Sequence, residues 1–312
     1  MTRRPGHTRN QRGVAVITAL LLTTLAITLV ASLFWQQQVQ VRSIENQRLQ
    51  LQKQWILRGA LDWARLILRE DARTSSLNDN LDEPWSVPLA ETRLDQYVEN
   101  GNPDDASDAS LSGSITDAQA RYNLTNLCPA GTVVPREVAA FARLLTNLQL
   151  DPALAQATAN TMAASNKPAA DSTGTPSQPM PIAHVEDLLA VPGFSAEMLG
   201  ILKDFVAVLP GTTKVNVNTA PIEVLAARIE GLSLADAAAI AASRKQAHFR
   251  DLPHFVAAFP GKPLDAARDN LSVMTGYFFV NGKVRMNRAS LELQSLVKRS
   301  GANPEVIWIR EK

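Results

Sequence analysis

One cysteine, Cys128, stands in a chain of 312 residues, so no intrachain disulfide can form. In an oxidising compartment a lone thiol is safest when buried, and Leu127-Cys128-Pro129 reads as the edge of a core. Histidine is scarce as well: His7, His184, His248 and His254 are the full set. No His-Glu-x-x-His or Cys-x-x-Cys occurs, and no serine or cysteine lies in a nucleophile-elbow pattern. His248 and His254 flank Phe249 and Leu252 and read as surface or capping residues rather than ligands. These gaps leave catalysis without a footing and point to a structural protein, not an enzyme. A net charge of +1 leaves no electrostatic footprint for a nucleic acid either.

The most informative absence is at the start. Residues 1–13 carry Arg3, Arg4, Arg9 and Arg12 but no acid, and residues 14–34 carry no charge at all. Twenty-one apolar and small residues rise about 31 Å as a helix, enough to cross the hydrocarbon core of a bilayer. The arginines ahead of them stay cytoplasmic by the positive-inside rule, which places everything after Phe34 outside the cytoplasm. A secretory signal peptide has a shorter apolar core followed by a small-x-small cleavage site, and Ala31-Ser32-Leu33-Phe34-Trp35 offers a poor one. The segment from Trp35 to about Arg69 holds no proline and only Gly59, so the helix continues without a break. From Val14 to Arg69 it predicts one rod of roughly 84 Å. Val41, Ile44, Leu51 and Trp55 form an apolar stripe on its Gln- and Arg-rich outer part, a candidate helix-packing interface.

Beyond the rod the pattern is strands, then helices, then strands. Helical signals cover Pro135–Leu148, Asp151–Ala164, His184–Leu189, Ser195–Leu209, Ala220–Arg228, Ser233–Ala247 and Leu252–Phe259. Lys167–Pro181, rich in Pro, Ser and Thr, reads as a surface loop dividing them. Tyr277–Met286, Ala289–Val297 and Glu305–Arg310 alternate in part, as strands do, and must return to pair with strands near Ser112–Leu124. A helical block split out of a sheet is an insertion into an α+β domain. Leu188–Phe194, and Asn216–Leu225 with Gly231-Leu232, resemble helix-hairpin-helix units. Around the first, Glu186, Asp187, Glu197 and Asp204 outnumber Lys203, so the hairpins read as helix-packing units rather than phosphate grips.

A basic leader ending at Gly13, directly before an apolar run that opens a long helix, resembles the type IV pilin and pseudopilin class. In that class a prepilin peptidase cuts after the glycine, and the mature chain begins, here, at an N-methylated Val14. Most members carry a glutamate at the fifth mature position, where this chain has Thr18, whose hydroxyl can bond back to its own helix. Lack of that acid, a length beyond one compact domain, and three segments resemble the minor pseudopilin K family of the type II secretion system. Those segments are Leu81–Trp85 (LDEPW), Ile115–Leu127 (ITDAQARYNLTNL, with Ala120 where glycine is usual) and Val215–Pro221 (VNVNTAP).

The resemblance implies a pilin-like α+β fold, a long N-terminal helix plus antiparallel sheet, carrying a large all-α insertion with helix-hairpin-helix or SAM-like units. It implies a leader over 1–13, a membrane half-helix over 14–34, periplasmic helix and first strands over 35–127, the insertion over 128–268 and closing strands over 269–312. It further implies a subunit that caps or initiates the pseudopilus, with minor pseudopilins I, J and H, major pseudopilin G, prepilin peptidase and the inner membrane as partners. A DNA-uptake or type IV pilus minor pilin, and an uncleaved signal-anchored periplasmic module, are the alternatives. Family members are associated with calcium in the insertion. The matching stretch here, Thr161–Asn166 and then Asp171, has lost most of the acids, so those sites do not carry over. Glu99–Asp108, with Asp104, Asp105 and Asp108, is the remaining acidic loop of interest for calcium.

Overall fold

The computed structural model describes residues 12–74, 77–94, 109–166, 179–286, 289–301 and 303–311. They fall in two compact units, Met1–Ile56 and Leu57–Lys312. Helix α1 (Arg12–Thr74) makes up the first and opens the second. It contains no proline, so nothing deletes a backbone hydrogen bond before Thr74, past the expected end at Arg69. In its charge-free stretch the threonines donate back to the helix, Thr23 to Leu20 O at 2.9 Å and Thr28 to Leu25 O at 2.8 Å. Hydroxyls satisfied in this way cost little in an apolar solvent.

The second unit is built on a five-stranded antiparallel sheet of order β1-β2-β7-β8-β9. The strands are β1 (Leu89–Arg93), β2 (Ala109–Asp117), β7 (Tyr277–Met286), β8 (Ala289–Lys298) and β9 (Glu305–Glu311). β2 and β7 are neighbours from Ala109↔Met286 to Asp117↔Phe278. Everything between Asp117 and Tyr277 is therefore inserted between two paired strands. β7 runs straight through Asn281-Gly282, as a continuous strand.

Period-two alternation gives the sheet two working faces. On one, Phe278, Val280 and Val297 pack with Ile115, Trp85 and the α1 residues Leu61, Ala64 and Leu68. On the other, Phe279 and Leu296 meet Ala118, Ala207 and Leu209 of the inserted block. β9 serves both faces because its pairing with β8 slips between Leu296↔Trp308 and Val297↔Val306. Ile307 is the extra residue, and the bulge turns Val306 to the α1 face and Trp308 to the block.

The inserted block has one continuous core, from Tyr122 to Val273, rather than two halves divided by the Pro-rich stretch. Its helices are α2 (Pro135–Asn147), α3 (Leu154–Ser165), α4 (Ala196–Leu202), α5 (Ile222–Arg228), α6 (Leu234–Gln246) and α7 (Leu252–Ala258). Three of them carry side-chain caps: Ser195 accepts from Met198 N–H, Ser233 from Asp236 N–H, and Asp251 from His254 N–H, whereas α3 begins at Leu154 without a side-chain cap from Asp151. Cys128 is buried, and desolvation raises its thiol pKa.

Three expectations are corrected. The helix expected over Ser195–Leu209 stops at Leu202, because Val206–Ala207 (β4) pairs in parallel with Tyr122–Asn123 (β3). That same pairing takes residues 118–127 out of the sheet domain and into the block, so the border lies at the end of β2, not at 128. On the far side Leu271–Ser272 (β6) pairs with Val215–Asn216 (β5), and the block extends beyond 268 to the start of β7. Two-residue parallel strands are too short to leave a periodic signal, and burial in a shared core decides them.

Candidate functional site

No constellation for covalent or acid–base catalysis is assembled among the described residues, and the candidates are surfaces and one buried polar network. The first surface is the membrane-type segment of α1. It is the one described helix long and apolar enough to span a bilayer. Val14 is exposed in its first turn, and Thr18 donates to Val14 O and Ala15 O, each at 3.0 Å. The hydroxyl that stands in the glutamate's usual place is thus satisfied by its own helix. Gly13 lies in the same turn, and residues 1–11, read as part of a leader from the sequence, are outside the described residues. Further along, Val41, Ile44, Leu51 and Trp55 are between 53% and 68% exposed.

The second unit carries an apolar recess of about 280 Å³ beside β1, lined by Leu57, Trp63, Trp85, Val87, Leu111 and Leu293. It lies on the face of the sheet that α1 covers, and Trp85, which lines it, donates its indole N–H to Glu83.

That network was not foreseen. Arg299, just past β8, is clamped by Asp71 on one amino group and Asp79 on the other, and donates to Thr275 O at 3.0 Å. Its guanidinium lies 4.7 Å above the Phe278 ring. Asp79 also accepts from Thr275 N–H at 2.6 Å, and its own N–H donates to Val273 O at 2.8 Å. Glu83 accepts from Trp85 Nε1–H at 2.6 Å and from Asn80 N–H at 3.2 Å. Asn216 links this group to a second buried acid, donating to Asp79 O and to Asp117 Oδ2 at 3.0 Å each. Asp117 further accepts from Thr219 at 2.5 Å and Gln119 N–H at 2.7 Å. The end of α1, the Leu81–Trp85 segment, the block and the β8–β9 turn are held by one set of charges.

Burial dominates the electrostatics. Desolvation raises the pKa of Asp71, Asp79 and Asp117 against the pull of Arg299 and the hydrogen bonds, and lifts Glu83 to about 7. Asp71, Asp79 and Glu83 bring carboxylate oxygens within 4.8 Å of one another, a spacing a divalent cation can bridge. Arg299 already supplies the positive charge there, and a guanidinium locked between two of the three acids opposes a metal.

Residues 161–166, the stretch that matches the family's calcium region, offer no carboxylate. There Thr161 donates to Ala157 O, Ser165 to Met162 O and Asn166 to Met162 O. Asp104, Asp105, Asp108 and Asp171 lie outside the described residues. His254 serves the Asp251 cap, and His248 lies 3.9 Å from Asp82.

Two family models, both described as type II secretion system (T2SS) protein K, match residues 120–211 and 215–274. Type II secretion system protein K of Pseudomonas aeruginosa is 28% identical over 93% of this chain and 90% of the relative. The Klebsiella pneumoniae protein K is 26% identical, covering 96% of both chains. Along nearly its whole length the chain is similar to type II secretion system protein K. The fold agrees: a chain in the crystal structure of the GspK-GspI-GspJ complex from enterotoxigenic Escherichia coli superposes with a TM-score of 0.68. It shares 20% identity, over 87% of this chain and 99% of that one. Both family matches fall inside the inserted block, and they meet between Gly211 and Val215, where β4 gives way to β5.

Proposed function

We propose that this chain is a protein K, a minor pseudopilin that caps or initiates the type II secretion pseudopilus. Its role is mechanical rather than enzymatic. Prepilin peptidase cleaves after Gly13 and Val14 becomes the methylated N-terminus. Residues 14–34 anchor the subunit in the inner membrane, with the body in the periplasm. The solved relative is a complex of GspK with GspI and GspJ, and by that likeness minor pseudopilins I and J are the immediate partners, with H and the major pseudopilin G beyond them. The exposed stripe through Val41, Ile44, Leu51 and Trp55 is the face that packs on their helices.

The observation that carries the tip assignment is Thr18. A membrane-buried glutamate needs a partner amine on the next subunit, whereas Thr18 is satisfied by Val14 O and Ala15 O at 3.0 Å. A subunit so built has no call on a neighbour ahead of it, and the block inserted between β2 and β7 supplies bulk where another subunit would stack.

The test is the mass of the N-terminal peptide from cells with and without prepilin peptidase. A peptide beginning at methylated Val14 only when the peptidase is present is expected. Retention of residues 1–13 in both strains would leave an uncleaved anchored protein and end the assembly mechanism.

A further inference from the structure

Where the block meets the sheet, opposite the α1 face, lies a cavity of about 270 Å³ lined by polar side chains from both. Arg121, which follows the 3-10 turn after β2, reaches into it with its guanidinium 5.0 Å above the Phe279 ring. Among the described residues, every other arginine withdrawn from solvent in the block and sheet has an oxygen to bond. Arg143 donates to Ala227 O, Arg244 to Val217 O, Arg228 to Glu137, Arg299 to Asp71 and Asp79, and Arg310 to Glu186. Among the described residues Arg121 has none.

Its charge is felt only through space, by Asp204 and Asp117, while burial lowers its pKa. The contact with the Phe279 ring engages the positive charge and leaves the guanidinium's fork of N–H donors without an oxygen among the described residues. The walls repeat the imbalance. Arg310 spends both amino groups on Glu186 at 2.8 and 2.9 Å, yet its buried Nε–H has no acceptor. Lys203, exposed at the rim, has no acid within ion-pair distance among the described residues. Three cations face two acids, Glu186 and Asp204, and Glu186 is already consumed. Trp308, flanked by His184 at 5.5 Å and Phe279 at 6.1 Å, adds an apolar wall.

We propose that this cavity is a binding site for a carboxylate on a short organic stem, with Arg121 as its bidentate anchor and Lys203 as a second charge. A planar carboxylate matches the guanidinium fork, and the stem would lie along Trp308. The site stands apart from the membrane assembly described above: it needs neither leader cleavage nor the helix stripe. The carboxylate can belong to a free small acid or to an acidic side chain of a protein segment, and the two are separable by experiment.

The full-length protein in detergent micelles, labelled with 15N, reports the site through the Trp308 indole N–H resonance, assigned with Trp308→Phe. Titration with glutarate and with an N- and C-blocked Ala-Glu-Ala tripeptide is expected to move that resonance saturably, with a dissociation constant of about 1 mM or below for at least one of them. Saturation by glutarate points to a small acid, and saturation by the tripeptide alone to a protein segment. Glutaramide should leave the resonance in place. Arg121→Gln should abolish the response, and Arg121→Lys, which keeps the charge but loses the fork, should weaken it about tenfold. Should both Arg121 variants fail to fold, Lys203→Gln, at the exposed rim, should still weaken binding several-fold with an unchanged melting curve. Silence toward both carboxylates up to about 20 mM, an equal response to glutaramide, or a response to inorganic phosphate alone would overturn the proposal.

Discussion

From Val14 to Ile44 every valine, leucine, isoleucine, phenylalanine and tryptophan is exposed, whereas the inserted block closes almost all of its large apolar side chains around one core. Both regions are helical and both are rich in apolar residues. They differ in where the apolar positions can go. A single helix has nothing to fold against, so its apolar surface must meet lipid or other helices. In the block, short helices with caps at their ends return on themselves, and the hydrophobic effect is spent within the chain. One region is complete only in an assembly; the other is complete alone.

The strongest way to break the self-contained half is through Arg299. Arg299→Leu leaves Asp71 and Asp79 buried without their counter-charge, and thermal or denaturant unfolding should show a loss of about 3–5 kcal/mol. Next comes Gly193, which turns the chain into α4 with φ of 101°, and whose missing Cβ would sit 2.7 Å from Leu154 Cδ2. Gly193→Ala should cost about 1–3 kcal/mol by the same measurement, since backbone strain and a core clash coincide.

A finer probe is pH. Glu83 has its folded pKa raised to about 7 from 4.5 by burial, so the folded state binds more protons than the unfolded one between those values. Stability should therefore fall as pH rises from about 4.5 to about 7, by at most ~1.4 kcal/mol per pH unit. Glu83→Gln, which keeps the Trp85 hydrogen bond, should flatten that part of the curve. An identical slope in the variant would assign it to Asp71, Asp79 or Asp117 instead. The smallest effect on stability sharpens the comparison most. Val41→Glu with Leu51→Glu should change the melting of the folded body by no more than ~0.5 kcal/mol, yet abolish co-purification with the partner pseudopilins. Intact co-purification would show that the stripe is misassigned.

Legibility in the sequence follows the range of the interactions. The charge-free run, the helix without proline and the alternating closing strands depend on neighbours a few residues away, and each can be read directly. Thr18 belongs with them, because its hydrogen bonds reach only three and four residues back. The buried network does not. Glu83-Pro84-Trp85 stood out as a segment, but nothing local to Asp71, Asp79 or Arg299 announces that they converge across more than two hundred residues of chain. Arg121 lay inside a recognisable motif, yet its unmatched guanidinium appears only once Phe279 and Trp308 are placed around it.

By itself the sequence determined that a spanning-length helix runs on from Val14, that the middle is helical and that the end is strand. Those are properties of periodicity, charge and composition, which act over a turn or a strand. The tertiary structure decided that β2 pairs with β7 across the whole inserted block, that Tyr122 and Val206 begin a two-residue parallel pair, and that two buried acids share one arginine. Such choices are settled by burial and by the cost of leaving a charge or a backbone group unpaired, and those terms exist only after distant segments have met.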